Sequence, residues 1–143
     1  MFGPKLRGAS AYETTGVETG VMSADPHKLV LMLFEGARLA IARALLAMEQ
    51  GDIARKGESI GRAVKIVMEG LNASLSWDAN QEMADRLASL YEYMARRLTE
   101  GNAQNNPDPL READRLLAEL ENAWRAIAPE RRAQLDAGRL QPA

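Results

Sequence analysis

Cysteine is absent from the chain, so no disulfide staples it and no thiolate can hold a metal; that suits a reducing cytosol. Histidine occurs once, as His27. A dinuclear metal site in a helix bundle draws a Glu-x-x-His pair from each of two helices, and a hydrolytic triad needs its base oriented by a third group. Neither can be assembled from this sequence, and its glycines occur singly, never as a phosphate-cradling loop. No catalytic residue, cofactor or metal is therefore expected, and the chain does not read as an enzyme. An excess of one charge is also missing. With 18 basic and 20 acidic residues interspersed, there is no basic stripe to recommend nucleic acid. No apolar run approaches the ~20 residues that cross a bilayer, and the first residues carry no secretory signal. The expectation is a soluble cytoplasmic protein. Sustained period-two alternation, the mark of half-buried strands, is lacking too.

What is present is a folded, helical composition. Of 143 residues, 46% are hydrophobic and 27% charged, which suits one globular domain with a real core. The most informative stretch is Leu29-Val30-Leu31-Met32-Leu33-Phe34, six apolar residues behind the helix-start signal Asp25-Pro26. At about 100° per residue, six in succession reach every side of a helix. Leaving two or three of them exposed would forgo roughly 1.5–3 kcal/mol each, so the run predicts contact with something beyond its own bundle.

The spacing predicts four helices. The first runs from about Pro26 to Gln50, where Gly51 suits a left-handed stop and Asp52 caps the next helix at once. Ile53, Gly57, Ile60, Val64, Val67, Leu71 and Leu75 form the stripe of helix two. Gly57, Gly61 and Gly70 lower its helicity and would be explained by another backbone coming close. Ser76 to Asn80 form a connection, with Asp78 and Gln81 spaced as a capping box. Helix three carries Met83, Leu87, Leu90, Met94 and Leu98 with Tyr91 beside them, and Gly101 is its expected stop. Asn102 to Pro107 reads as a polar loop, and Asp108-Pro109 as the start of helix four, which bears Leu110, Ala113, Leu117, Leu120, Trp124 and Ile127 and ends before Pro129. Residues 1–20 read as a flexible N-terminal arm with a small apolar island ending in Tyr12, residues 21–128 as the bundle domain, and 129–143 as a polar C-terminal tail. Short links favour an all-α, antiparallel, up-down-up-down four-helix bundle.

Several features admit two readings. The seven methionines can fill the core or line a surface that accepts helical peptides. The glutamates among arginines fit a solvated face of ion pairs. His27 is expected at the surface or supporting a cap; a histidine phosphotransfer or other signalling bundle acting through it is the alternative function. A self-assembling structural protein is a third option, because the same apolar surface could pair two copies.

The segment from Val21 to Ala37, reading VMSADPHKLVLMLFEGA, resembles the signature of the FliS family of flagellar secretion chaperones. There a Ser-x-x-Pro-His/Tyr-x-Leu turn leads into Met-Leu-Phe/Tyr-Asp/Glu-Gly-Ala on the first helix. Further matches are Gln50-Gly51-Asp52, Lys56-Gly57-Glu58, the Leu87 to Leu98 segment, Ala11-Tyr12 and Ala123-Trp124, so the resemblance spans about residues 10–128. Ser76-Trp77-Asp78-Ala79-Asn80 departs from the usual Leu-Asp-x-Glu-x-Gly connection.

The resemblance implies an antiparallel helical bundle that binds the disordered C-terminal segment of flagellin in the cytosol. It would prevent premature polymerisation and assist delivery to the type III export apparatus. An export-gate protein or a flagellar regulator is a further candidate partner, and the free chain is expected as a monomer or homodimer. The expected flagellin-binding surface comprises Tyr12, Met22, Leu29, Met32, Leu33, Ile66, Tyr91 and Met94, each with a core alternative. Tyr12 is the candidate to cover the groove when flagellin is absent. His27 is assigned to the opening turn of helix one.

Overall fold

The computed structural model describes residues 25–75 and 80–127. These form α1 (Pro26–Gln50), α2 (Ile53–Lys65), α3 (Gln81–Gln104) and α4 (Pro107–Ala126), with no strand among the described residues. The N-terminal arm, the connection at 76–79 with its Asp78 cap, and the tail with Pro129 lie outside the described residues.

Local chemistry sets most of the helix ends. Asp25 accepts a 2.8 Å hydrogen bond from the Lys28 amide, and Pro26 occupies the first turn, where its missing N–H costs nothing. Gly51 adopts φ 69°, and the amides of Gly51 and Asp52 donate back to the Met48 and Ala47 carbonyls. That paired arrangement satisfies two orphan carbonyls and stops α1. Asp52 then accepts from Arg55 N at 3.0 Å to open α2.

Three boundaries differ from the sequence expectation. Asn80, three residues before Met83, accepts the capping bond of α3. Gly101 does not end α3; the helix continues to Gln104, and Asn105 takes the left-handed position at φ 51° with the same pair of return bonds. Gly101 is instead a close-approach site. A Cβ there would collide with Leu110 Cδ1 and stand 2.9 Å from the Asn106 carbonyl oxygen. The polar loop therefore shrinks to Asn105-Asn106, and α4 begins on Pro107 with Asn106 as its cap, two residues before the expected Asp108-Pro109 start. The second half of helix two also departs from plain α geometry. Ile66–Leu71 form a wider π-helical stretch, followed by a 3-10 turn at Asn72–Ser74.

The core is one cluster. α1 supplies Phe34, Ala37, Ile41 and Ala44, α2 and its extension supply Ile60, Ala63, Val67 and Leu71, and α3 and α4 add Met94, Leu98, Leu110 and Leu117. Contacts between neighbouring helices run in opposite numerical order. Along α1, His27 meets Trp124 and Arg38 meets Asp114; along the π-helical continuation of α2, Ile66 lies beside Gly36 and Gly70 beside Leu33.

Two buried polar devices fasten the ends. Lys56 is buried, and its Nζ donates to the Asn102 carbonyl and to Asn105 Oδ1, both at 3.1 Å. A cation thereby meets the carbonyl end of α3, where the helix dipole is negative. At the other end, Trp124 Nε1 donates to the His27 carbonyl at 2.9 Å, and the two rings stack with centroids 5.2 Å apart.

Between α1 and α4, Arg38 bridges Asp114 (2.9 Å) and Glu121 (3.1 Å), and Arg125 joins Glu121 (2.7 Å) to Glu35 (3.3 Å). Burial alone would raise the Glu121 carboxyl, but the hydrogen bonds from Arg125 and Arg38 outweigh it and hold it below the usual carboxylate range. Across α3 and α4, bonds from Arg97 and Tyr93 likewise lower Glu112.

Candidate partner-binding surface

α1 is amphipathic with an apolar outer edge. Its core face passes through Phe34, Ala37, Ile41 and Ala44. On the opposite side, Met32, Leu39 and Leu46 are 38%, 52% and 52% exposed. They are spaced by seven residues, nearly two turns, so they form one line drifting about 20° per step. Ile53, 75% exposed at the start of α2, and Met83 at the start of α3 are the other large apolar side chains left open among the described residues.

The six-residue run resolves accordingly. Phe34 is buried, Leu29, Val30, Leu31 and Leu33 are half-buried, and Met32 is the one member counted as exposed. Leu33 leans on Gly70; a Cβ at Gly70 would sit 2.9 Å from Leu33 Cδ2, which accounts for that glycine. Gly57 and Gly61 are different. Nothing lies within 4 Å of a Cβ built on either, so no part of the described chain makes the close approach that would explain them. One turn further along the same side of α2 come Val64 and Met68, both half-buried against the core.

Of the residues expected at the partner surface, Leu29, Met32 and Leu33 share the N-terminal half of α1. Ile66, Tyr91 and Met94 take the core alternative in this conformation, each buried within the main cluster. Burial pushes the Tyr91 phenol up to about 12. Tyr12 and Met22 lie outside the described residues. Leu39 and Leu46 are exposed apolar residues that the sequence does not single out, and Ile53, expected in the apolar stripe of helix two, is open to solvent instead. The available signal was the seven-residue interval from Met32, which a helical projection separates from the core stripe.

His27 stands in the opening turn of α1, as expected, but not at the surface. It is 6% exposed, lies under Trp124, and leaves Nδ1 buried with no hydrogen-bond partner among the described residues. A phosphoacceptor histidine must be reachable by a donor's phosphoryl group, and this one is not presented to solvent. No cluster of metal-ligating side chains occurs among the described residues, and none of the described helices is long and apolar enough to cross a membrane.

The model of the flagellar protein FliS family matches residues 8–131. The chain belongs to the FliS family. It is 43% identical over 123 residues to the flagellar secretion chaperone FliS of Salmonella typhimurium, covering 86% of this chain and 91% of that protein. The Escherichia coli FliS is 38% identical over 83% of this chain and 88% of its own length. The Bacillus subtilis FliS is 35% identical over 86% and 88%. Membership of FliS supports a chaperone role in flagellar export.

Proposed function

We propose that this chain holds the C-terminal segment of flagellin in the cytosol, prevents its premature polymerisation and assists its delivery to the type III export apparatus. The observation that carries the reading is the apolar edge of α1 left open among the described residues, led by Met32 and flanked by the half-buried Leu29 and Leu33. A disordered segment that folds on binding forfeits about 2–5 kcal/mol in ordering, so it needs apolar surface of this kind to dock on. Leu39 extends that edge, and the bare glycines at 57 and 61 offer a strip of α2 where a helical backbone can come close. Tyr12 and Met22 remain part of the proposed surface. Ile66, Tyr91 and Met94 contribute from below, by holding the helices that display it.

The test is co-purification of the chain with full-length flagellin and with flagellin lacking its C-terminal segment. The expected result is a stoichiometric complex with the first and none with the second. Equal capture of both would overturn the reading.

A further inference from the structure

The C-terminal half of α1 and the first half of α2 enclose a groove of about 470 Å³, open to solvent. Its apolar floor is made by Ala40, Ala47 and Leu46, and its rim carries Arg43, Arg55 and Arg62 with the one carboxylate Glu58. The three arginines, like Arg96 and Arg115, lack the close carboxylate partner that the other described arginines have. Arg38, Arg86, Arg97, Arg111 and Arg125 each pair with a carboxylate at 3.4 Å or less. Arg43 and Arg62 have no ion pair or hydrogen bond among the described residues, and Arg55 meets Asp52 only at 3.8 Å. A chain whose formal charge is −2 thus leaves a local cationic surplus along one cleft with a small apolar floor.

The spacing is informative. Arg55 and Arg62 are seven residues apart, about 10.5 Å along α2. Arg43 faces them from α1, on the opposite wall. A helix laid along the groove would offer carboxylates at the same interval from positions i and i+7 on one flank of its apolar stripe, and a carboxylate on the other flank would meet Arg43. Its apolar side would rest on Leu46, which is half open, and on the two alanines, whose small side chains leave room. Guanidinium groups are suited to carboxylates because their planar forks donate two parallel bonds.

We propose that this groove docks an acidic amphipathic helix of a partner protein. The site is separate from the N-terminal half of α1 and does not rest on the flagellin reading. The partner's apolar face packs on Leu46, Ala40 and Ala47 while its carboxylates meet Arg43, Arg55 and Arg62.

The experiment uses the full chain and two fluorescent synthetic helical peptides. Both carry a leucine stripe; one has glutamates at the positions flanking that stripe on both sides, and the second has lysines there. Fluorescence anisotropy is expected to show binding of the glutamate peptide only, weakening as salt is raised. Arg43→Glu with Arg62→Glu is expected to weaken it at least about tenfold. Leu46→Ser should weaken it too, and Glu58→Gln should tighten it, a gain that damage to the fold would not produce. Circular dichroism establishes that each variant is folded, since all of these positions except the floor alanines are on the surface. Equal binding of the two peptides, indifference to the double charge reversal, or stronger binding to single-stranded RNA or anionic vesicles than to the glutamate peptide would overturn the proposal.

Discussion

Trp124 lies flat on His27 and donates its indole N–H to the carbonyl of that same residue, 2.9 Å away, so one side chain fastens the end of α4 to the opening turn of α1. The stack and the hydrogen bond are separable. Trp124→Phe keeps an aromatic face but removes the donor, and is expected to cost about 1 kcal/mol. Trp124→Ala removes both and should cost about 3 kcal/mol or more. Urea unfolding followed by far-ultraviolet circular dichroism measures the two losses; equal losses would show that the ring alone matters.

The glycines divide into opposite classes. Gly101→Ala is expected to destabilise by about 1–3 kcal/mol, because the new methyl meets Leu110 and the Asn106 carbonyl. Gly61→Ala meets open space and should stabilise by up to about 1 kcal/mol. The same unfolding assay reads both signs.

Acid should loosen the α1–α4 contact. The Glu121 carboxyl is held below its ordinary value of 4.5 in the folded chain, so its contribution is complete above about pH 4.5 and is lost as pH falls through the lower folded value. Glu121→Gln should therefore be less stable than the native chain at neutral pH, with the gap narrowing as the solution is acidified. Thermal melts across pH 3 to 7 check this; a gap that stayed constant would assign the loss to packing.

Neighbouring residues of the apolar run should part company. Met32→Glu adds charge at an exposed site and is expected to leave the melting temperature nearly unchanged while abolishing co-purification with flagellin. Leu33→Glu places a carboxylate against Gly70 and should destabilise the bundle itself. If Met32→Glu binds flagellin as well as the native chain does, the α1 edge is not the docking surface.

How much could be read in advance depends on how far each residue's reason lies from it along the chain. Asp25-Pro26 and Gly51-Asp52 were legible because a cap is completed within four residues. Gly101 was not, since its reason is Leu110 on the next helix, while the left-handed stop fell to Asn105. Asp108-Pro109 resembled a helix start as closely as Asn106-Pro107 did, and Lys56, which ties Asn105 in place, gave no local sign of being buried. His27 read as a surface residue because the ring that covers it is 97 positions away. At the partner surface the apolar run was visible, but a run alone does not say which member faces out. Ile66, Tyr91 and Met94 have the spacing of a stripe, and a stripe serves a core and a groove equally well.

The π-helical stretch at Ile66–Leu71 has a consequence for chain length. In an α-helix each amide reaches back four residues; here Asn72 reaches back five, to Val67. The wide turn holds one residue more than an α-turn would between the same two points. Losing one exposed residue there, such as Glu69, would tighten the turn to ordinary α geometry and leave Ile60 and Ala63 upstream in their present register. Elsewhere in the bundle a deletion would swing every following side chain by about 100°. Helix two thus contains a place where the gene can lose a codon without rotating the wall of the groove.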